Sequence, residues 1–175
     1  MANVVLAHGI LGFSGIGLGD FEIVRYFRGV KSALEEEGHT VLATSVNPLG
    51  SISERAKQIG EAITHYFSAE SNPQVIILAH SMGGLDARLA LSTNSHLAGI
   101  TDALVTIGTP HKGSPVAEMV AQNWRATQFI YQSLVDFLGT SVGGLSDLTP
   151  EHAQIFDRET AEAVGVRYFS IAGVI

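Results

Sequence analysis

The first stretch of this sequence with chemical content is Ala79-His80-Ser81-Met82-Gly83-Gly84, which follows the apolar run that begins at Val75. A serine between a buried strand and a helix sits on a tight, strained turn, and its neighbours must be small. On such a turn the hydroxyl stands clear of the backbone and can attack an acyl carbon. The usual pattern is G-x-S-x-G; here Ala79 takes the first glycine position, a difference of one methyl. The helix below Ser81 would direct its positive end at a developing oxyanion. A plain helix-capping serine is the competing reading. The strand–turn–helix setting favours the nucleophile.

A second stretch, His8-Gly9-Ile10-Leu11-Gly12-Phe13, follows the first apolar strand. Acyl transfer needs two backbone N–H groups aimed at the tetrahedral oxygen. Met82, the residue after the nucleophile, supplies one, and Ile10 is the candidate for the other. Gly12, Gly15, Gly17 and Gly19 make this loop glycine-rich. It contains no lysine and no G-x-G-x-x-G pattern, which disfavours phosphate or dinucleotide binding. His8 reads as a structural hydrogen-bonder and His80 as a packing residue.

The third stretch is Gly108-Thr109-Pro110-His111-Lys112-Gly113-Ser114, after the fourth strand. It falls at the carboxyl edge of the sheet, where α/β sites form. His111 could be a base, but a wall or positioning role suits it better. Leu11, Phe13, His111 and Trp124 are the candidate substrate-contacting side chains.

These stretches depend on the elements that hold them. Asn3–Ala7, Thr40–Val46, Val75–His80, Ala103–Gly108 and Val166–Ile175 read as strands. Helical spacing covers Glu22–Glu37, with Gly38 as its stop, and Met82–Ser92. Ser51-Ile52-Ser53-Glu54 is a capping box that opens a helix to about Ser68. Thr149-Pro150 opens another, to about Val164. His96 falls in a turn-like Ser-Thr-Asn-Ser stretch. Strands alternating with helices predict a mostly parallel sheet covered on both faces.

Residues 114–148 break this rhythm. Val120, Trp124, Tyr131, Leu134, Val135 and Leu138 share a helical face, and Gly139 and Gly143-Gly144 follow. An ordinary packed helix and a helical lid with glycine hinges both fit.

Composition narrows the class. The chain has 175 residues, which suits one domain, with 46% hydrophobic and 15% charged residues. That excludes a charged, disordered chain. A net charge of −7 disfavours a nucleic-acid partner. No apolar run reaches the ~18 residues of a membrane span. The absence of cysteine excludes disulfides and thiol chemistry. The start shows no signal-peptide pattern. An intracellular protein, export by a signal-less route and a mature form that begins at this Met1 all fit.

Taken together and in this order, the three stretches resemble the bacterial true lipases (family I triacylglycerol lipases) of the α/β-hydrolase superfamily. Leu148-Thr149-Pro150 and Arg167-Tyr168-Phe169-Ser170 extend the resemblance over nearly all of the chain. It implies an α/β-hydrolase fold, Ser81 as nucleophile, Ile10 and Met82 as oxyanion donors, and a lid between Val116 and Leu148. It also implies lipid esters as substrates, with transient contact at a lipid–water interface.

In that superfamily the chain order is serine, then acid, then histidine. The resemblance puts the acid after the strand Val166–Gly173, with the histidine further on. The sequence stops at Ile175. His96, His111 and His152 follow Ser81, as do Asp102, Asp136, Asp147 and Asp157. Neither His96 nor His152 is expected at a strand end beside Ser81. The expectation is therefore an α/β-hydrolase domain without its final strand. A C-terminal fragment would supply that strand, the Asp and the His. The resemblance places the family's calcium carboxylates mostly in the same absent part, so no metal and no organic cofactor is assigned to these residues. Short-chain esterase, thioesterase, acyltransferase and a non-catalytic binding protein remain open readings.

Overall fold

The computed structural model describes residues 1–10, 27, 29–115, 117–118 and 143–173. Among them, five parallel strands form one sheet: β1 (Asn3–Ala7), β2 (Thr40–Ala43), β3 (Val75–His80), β4 (Thr101–Ile107) and β5 (Arg167–Ile171), in the order β2-β1-β3-β4-β5. The chain leaves β2, passes over β1 and returns to pair β3 on its other side. The loops after β1 and β3 therefore open side by side at the carboxyl edge. This is the crevice in which open α/β sheets bind ligands.

The side-chain alternation of β1 shows why both faces must be covered. Val5 and Ala7 join Val75, Ile77, Ala79 and Leu104 on one face. There they pack against α2 (Ile52–Tyr66), α3 (Gly83–Thr93) and α4 (Ser95–Gly99) through Ile59, Ile63, Ala87, Leu91 and Leu97. Val4, Leu6 and Val41 point the other way and meet Leu34 of α1 (Val30–Glu36). Strands buried on both faces read as continuous apolar runs, which is how Val75–Ala79 reads.

The elements expected from the sequence are present, most of them shorter. Within the stretch expected as the first helix, the described residues form Val30–Glu36, capped by Gly29 in the left-handed region at φ 83°. Residues 22–26 lie outside the described set. Ser51 caps α2 as expected, its side chain accepting from the Glu54 amide. Thr149 caps α6 (Pro150–Glu159), which stops short of Val164. His96 lies in α4 rather than in a turn, since the Asn94 side chain accepts from the Leu97 amide and caps a five-residue helix. The lid assigned to 116–148 falls mostly outside the described residues. Its far end forms α5 (Gly144–Asp147), whose Asp147 carboxylate accepts from the Ile52 amide at the start of α2.

Gly60 lies buried inside α2, and a Cβ there would meet nothing closer than Asn94 Nδ2 at 3.7 Å and Leu97 Cδ2 at 3.8 Å. A methyl fits that space, and glycine inside a helix costs about 0.5–1 kcal/mol relative to alanine. Gly60→Ala should therefore raise stability by about that amount in chemical denaturation, with an unchanged m-value.

Candidate active site

Ser81 joins β3 to α3 at a backbone φ of 55°, the sole non-glycine residue in the left-handed region among the described residues. A side chain there costs about 1–2 kcal/mol, so the surroundings must hold it. Three residues do so through backbone and hydroxyl groups. The Ser81 amide donates to the Ile107 carbonyl at 2.9 Å, extending the β3–β4 pairing by one residue. The Ser81 carbonyl accepts from Thr109 Oγ1 at 2.8 Å and from the Gly84 amide at 3.1 Å.

The small residues around Ser81 are required by contact. A Cβ on Gly9 would lie 2.7 Å from Ser81 Cβ and 3.1 Å from its Oγ. A Cβ on Gly83 would lie 2.6 Å from the His8 carbonyl oxygen and 2.7 Å from that of Ala7. A Cβ on Gly84 would collide with the Thr109 side chain. The loop after β1, the turn at Ser81 and the loop after β4 are thus pressed together at one point of the sheet edge. Ala79, at the position where the elbow pattern has glycine, is fully buried in the sheet.

Ile10 and Met82, the expected oxyanion donors, meet in one apolar cluster with Ile52, Leu85, Ala117 and Leu148. A Cβ on Gly144 would lie 3.1 Å from both Ile10 Cδ1 and Met82 Cε, so this glycine lies directly over the pair. Leu11, Phe13 and Trp124 lie outside the described residues.

Both ring nitrogens of His111 have partners. Its Nδ1 lies 3.3 Å from Arg88 Nη1 and its Nε2 lies 3.1 Å from Thr106 Oγ1. Burial, then the nearby Arg88 charge, holds this imidazole below its ordinary range. Arg88 also reaches Asp157, which pairs with Lys112 as well. His152 lies 2.8 Å from Thr149 Oγ1 at the start of α6. Among the described residues no three His, Asp or Glu side chains cluster closely enough to hold a metal ion.

Sequence reasoning missed one pair of residues beneath the site. Arg55 of α2 and Asp86 of α3 are fully buried and joined at 2.7 Å, Nε to Oδ2. Arg55 Nη1 donates to the Asn47 carbonyl at 2.8 Å, and Nη2 to the His8 carbonyl at 2.7 Å. Burial pushes the Asp86 carboxyl up to about 7, with Arg55 pulling it back down. Its Oδ1 has no hydrogen-bond partner among the described residues. A signal was available: Arg55 sits on the apolar face of α2 that Ile52, Ala56, Ile59 and Ile63 define, where a charge must be paired.

Comparisons with known proteins give the fold and the family. The mature form of the Bacillus licheniformis lipase BlEst2 superposes with a TM-score of 0.76 at 20% identity, covering 98% of this chain and 65% of that one. That likeness identifies the α/β-hydrolase fold. Triacylglycerol lipase 2 of Saccharomyces cerevisiae is 31% identical over 154 residues, 84% of this chain. GPI inositol-deacylase A of Yarrowia lipolytica is 30% identical over 111 residues, 55% of this chain and 10% of its own length. The chain spans about 45% of the length of the yeast lipase. The family model for the PGAP1-like alpha/beta domain matches residues 42–138, more than half of the sequence. These residues therefore belong to the PGAP1-like alpha/beta domain family, built on an α/β-hydrolase fold.

Proposed function

We propose that this chain carries the nucleophile and the oxyanion-binding part of a serine hydrolase that cleaves carboxylic esters of lipids. The observation that carries the reading is Ser81 at φ 55° between a buried strand and a helix, with Gly9, Gly83 and Gly84 packed around it. Ser81 attacks the acyl carbon, and the N–H groups of Ile10 and Met82 take the negative charge of the tetrahedral oxygen. The alcohol leaves, and water then releases the acyl group from Ser81.

The serine proton needs a base. His111 and His152 hold other partners, and His8 bonds to Gly9. We assign base and acid to a further C-terminal segment of polypeptide, docked along β5. Two features support this. Among the described residues β5 is an edge strand, and its Phe169 and Ile171 are 52% and 56% exposed. An apolar edge of this kind calls for a covering strand.

Lipid esters are the favoured substrates because the yeast relative is named a triacylglycerol lipase and the three stretches resemble the bacterial true lipases. The alternative is an acyl ester on a glycolipid headgroup, favoured by the family description and by the inositol-deacylase relative. A substrate series separates the two. Hydrolysis of long-chain triacylglycerol, with a rate jump above its solubility limit, is the expected result. Activity confined to acylated inositol lipids would favour the alternative. Activity confined to short soluble esters or to thioesters would overturn both.

A further inference from the structure

We infer that Arg55 and His8 are positioning residues that fix the orientation of the oxyanion-donating peptide. The inference rests on the reading of Ser81 and Ile10 given above.

Two successive peptide units are held in place. In a trans peptide the C=O and the N–H point in opposite directions, and the described residues contain no cis bond. The first unit carries the His8 carbonyl, which accepts from Arg55 Nη2 at 2.7 Å. The second carries the Gly9 carbonyl, which lies 2.8 Å from His8 Nδ1. A carbonyl oxygen only accepts, so Nδ1 bears the proton and donates. With the Gly9 oxygen held by the imidazole, the Ile10 N–H of the same unit faces the opposite way. Gly9 itself lies against Ser81, where a Cβ would come within 2.7 Å of Ser81 Cβ. The loop therefore has both of its carbonyls pinned beside the nucleophile.

Glycine at position 9 is needed for this close approach, but it also leaves the peptide free to rotate. Pinned carbonyls offset that freedom. Arg55 suits the task because its planar fork serves three directions at once: Asp86 Oδ2, the Asn47 carbonyl and the His8 carbonyl. Asp86 in turn sits one turn into the helix that starts beneath Ser81. The fork thus ties the oxyanion loop and the nucleophile helix to a common point. Burial keeps His8 neutral, which suits the single Nδ1 proton.

The test uses conservative variants of the complete protein, with kcat and KM measured separately on a soluble ester and folding checked by circular dichroism. Arg55→Lys keeps a positive charge for Asp86 but cannot reach all three acceptors. It should lower kcat about 10- to 100-fold, within the cost of a misplaced oxyanion donor, and leave KM within about twofold. His8→Leu should do the same. His8→Asn should restore kcat to within about threefold of the parent, because its Nδ2 stands where the imidazole Nδ1 stood. Folded Arg55→Lys and His8→Leu proteins with parental kcat would overturn the inference. So would a His8→Asn protein as slow as His8→Leu, since that pattern marks a packing role. If Arg55→Lys does not fold, the His8 pair decides alone. Full activity in Ser81→Ala would instead refute the reading of the site on which the inference rests.

Discussion

Ser81→Ala should lower ester hydrolysis by at least about 10⁴-fold, since loss of a nucleophilic serine removes nearly all of the chemical acceleration. Its stability should stay close to that of the parent, because alanine keeps a Cβ at φ 55°. Ser81→Gly should be equally inactive yet more stable. Relief of a left-handed side chain gives about 1–2 kcal/mol, and the added chain freedom of glycine takes back about 0.5–1. The remainder is roughly 0.5–1 kcal/mol, or a few degrees in Tm. Activity and thermal melting of both variants check this. If Ser81 only capped a helix, the alanine variant would lose about 1 kcal/mol and keep its activity.

Gly83→Ala should damage both fold and activity. Its Cβ would come within 2.6–2.7 Å of the His8 and Ala7 carbonyl oxygens, at the end of the buried strand β1. Those atoms are backbone and cannot turn aside, so α3 must move away from the sheet. Overpacking of this kind costs about 1–3 kcal/mol. The same shift moves Met82, the cap residue of α3, away from the loop that holds Ile10. An activity loss of about 10²-fold should accompany the drop in Tm. Gly60→Ala is the matched control, since its methyl meets only ordinary contacts. Parental Tm and activity in Gly83→Ala would mean that α3 and β1 are not pressed together.

Much of this arrangement is legible in the residues. Val75–Ala79 reads as a doubly buried strand because nothing polar interrupts it, and the small residues after it mark the turn at Ser81. Ser51 and Thr149 mark helix starts through side chains that accept backbone protons. The boundaries are harder. Helical spacing continues smoothly from Glu22 through Val30, and only the left-handed conformation of Gly29 places the cap. Asn94 lies in a stretch that reads as a turn, yet its side chain starts a new helix.

Arg55 shows a different limit. Its position on an apolar face signals burial, but its partners come from distant segments. Asp86, Asn47 and His8 converge only once β1, α2 and α3 are packed. The partners of His111 are likewise set by packing: both ring nitrogens meet Arg88 and Thr106.

The central claim is that Ser81 is an activated nucleophile. The most direct test is to label the complete protein with a serine-reactive phosphonate and read the intact mass, with Ser81→Ala as control. The account predicts one adduct per chain, located on Ser81 and absent from the control. No adduct on folded protein, or an adduct that persists in Ser81→Ala, would contradict it.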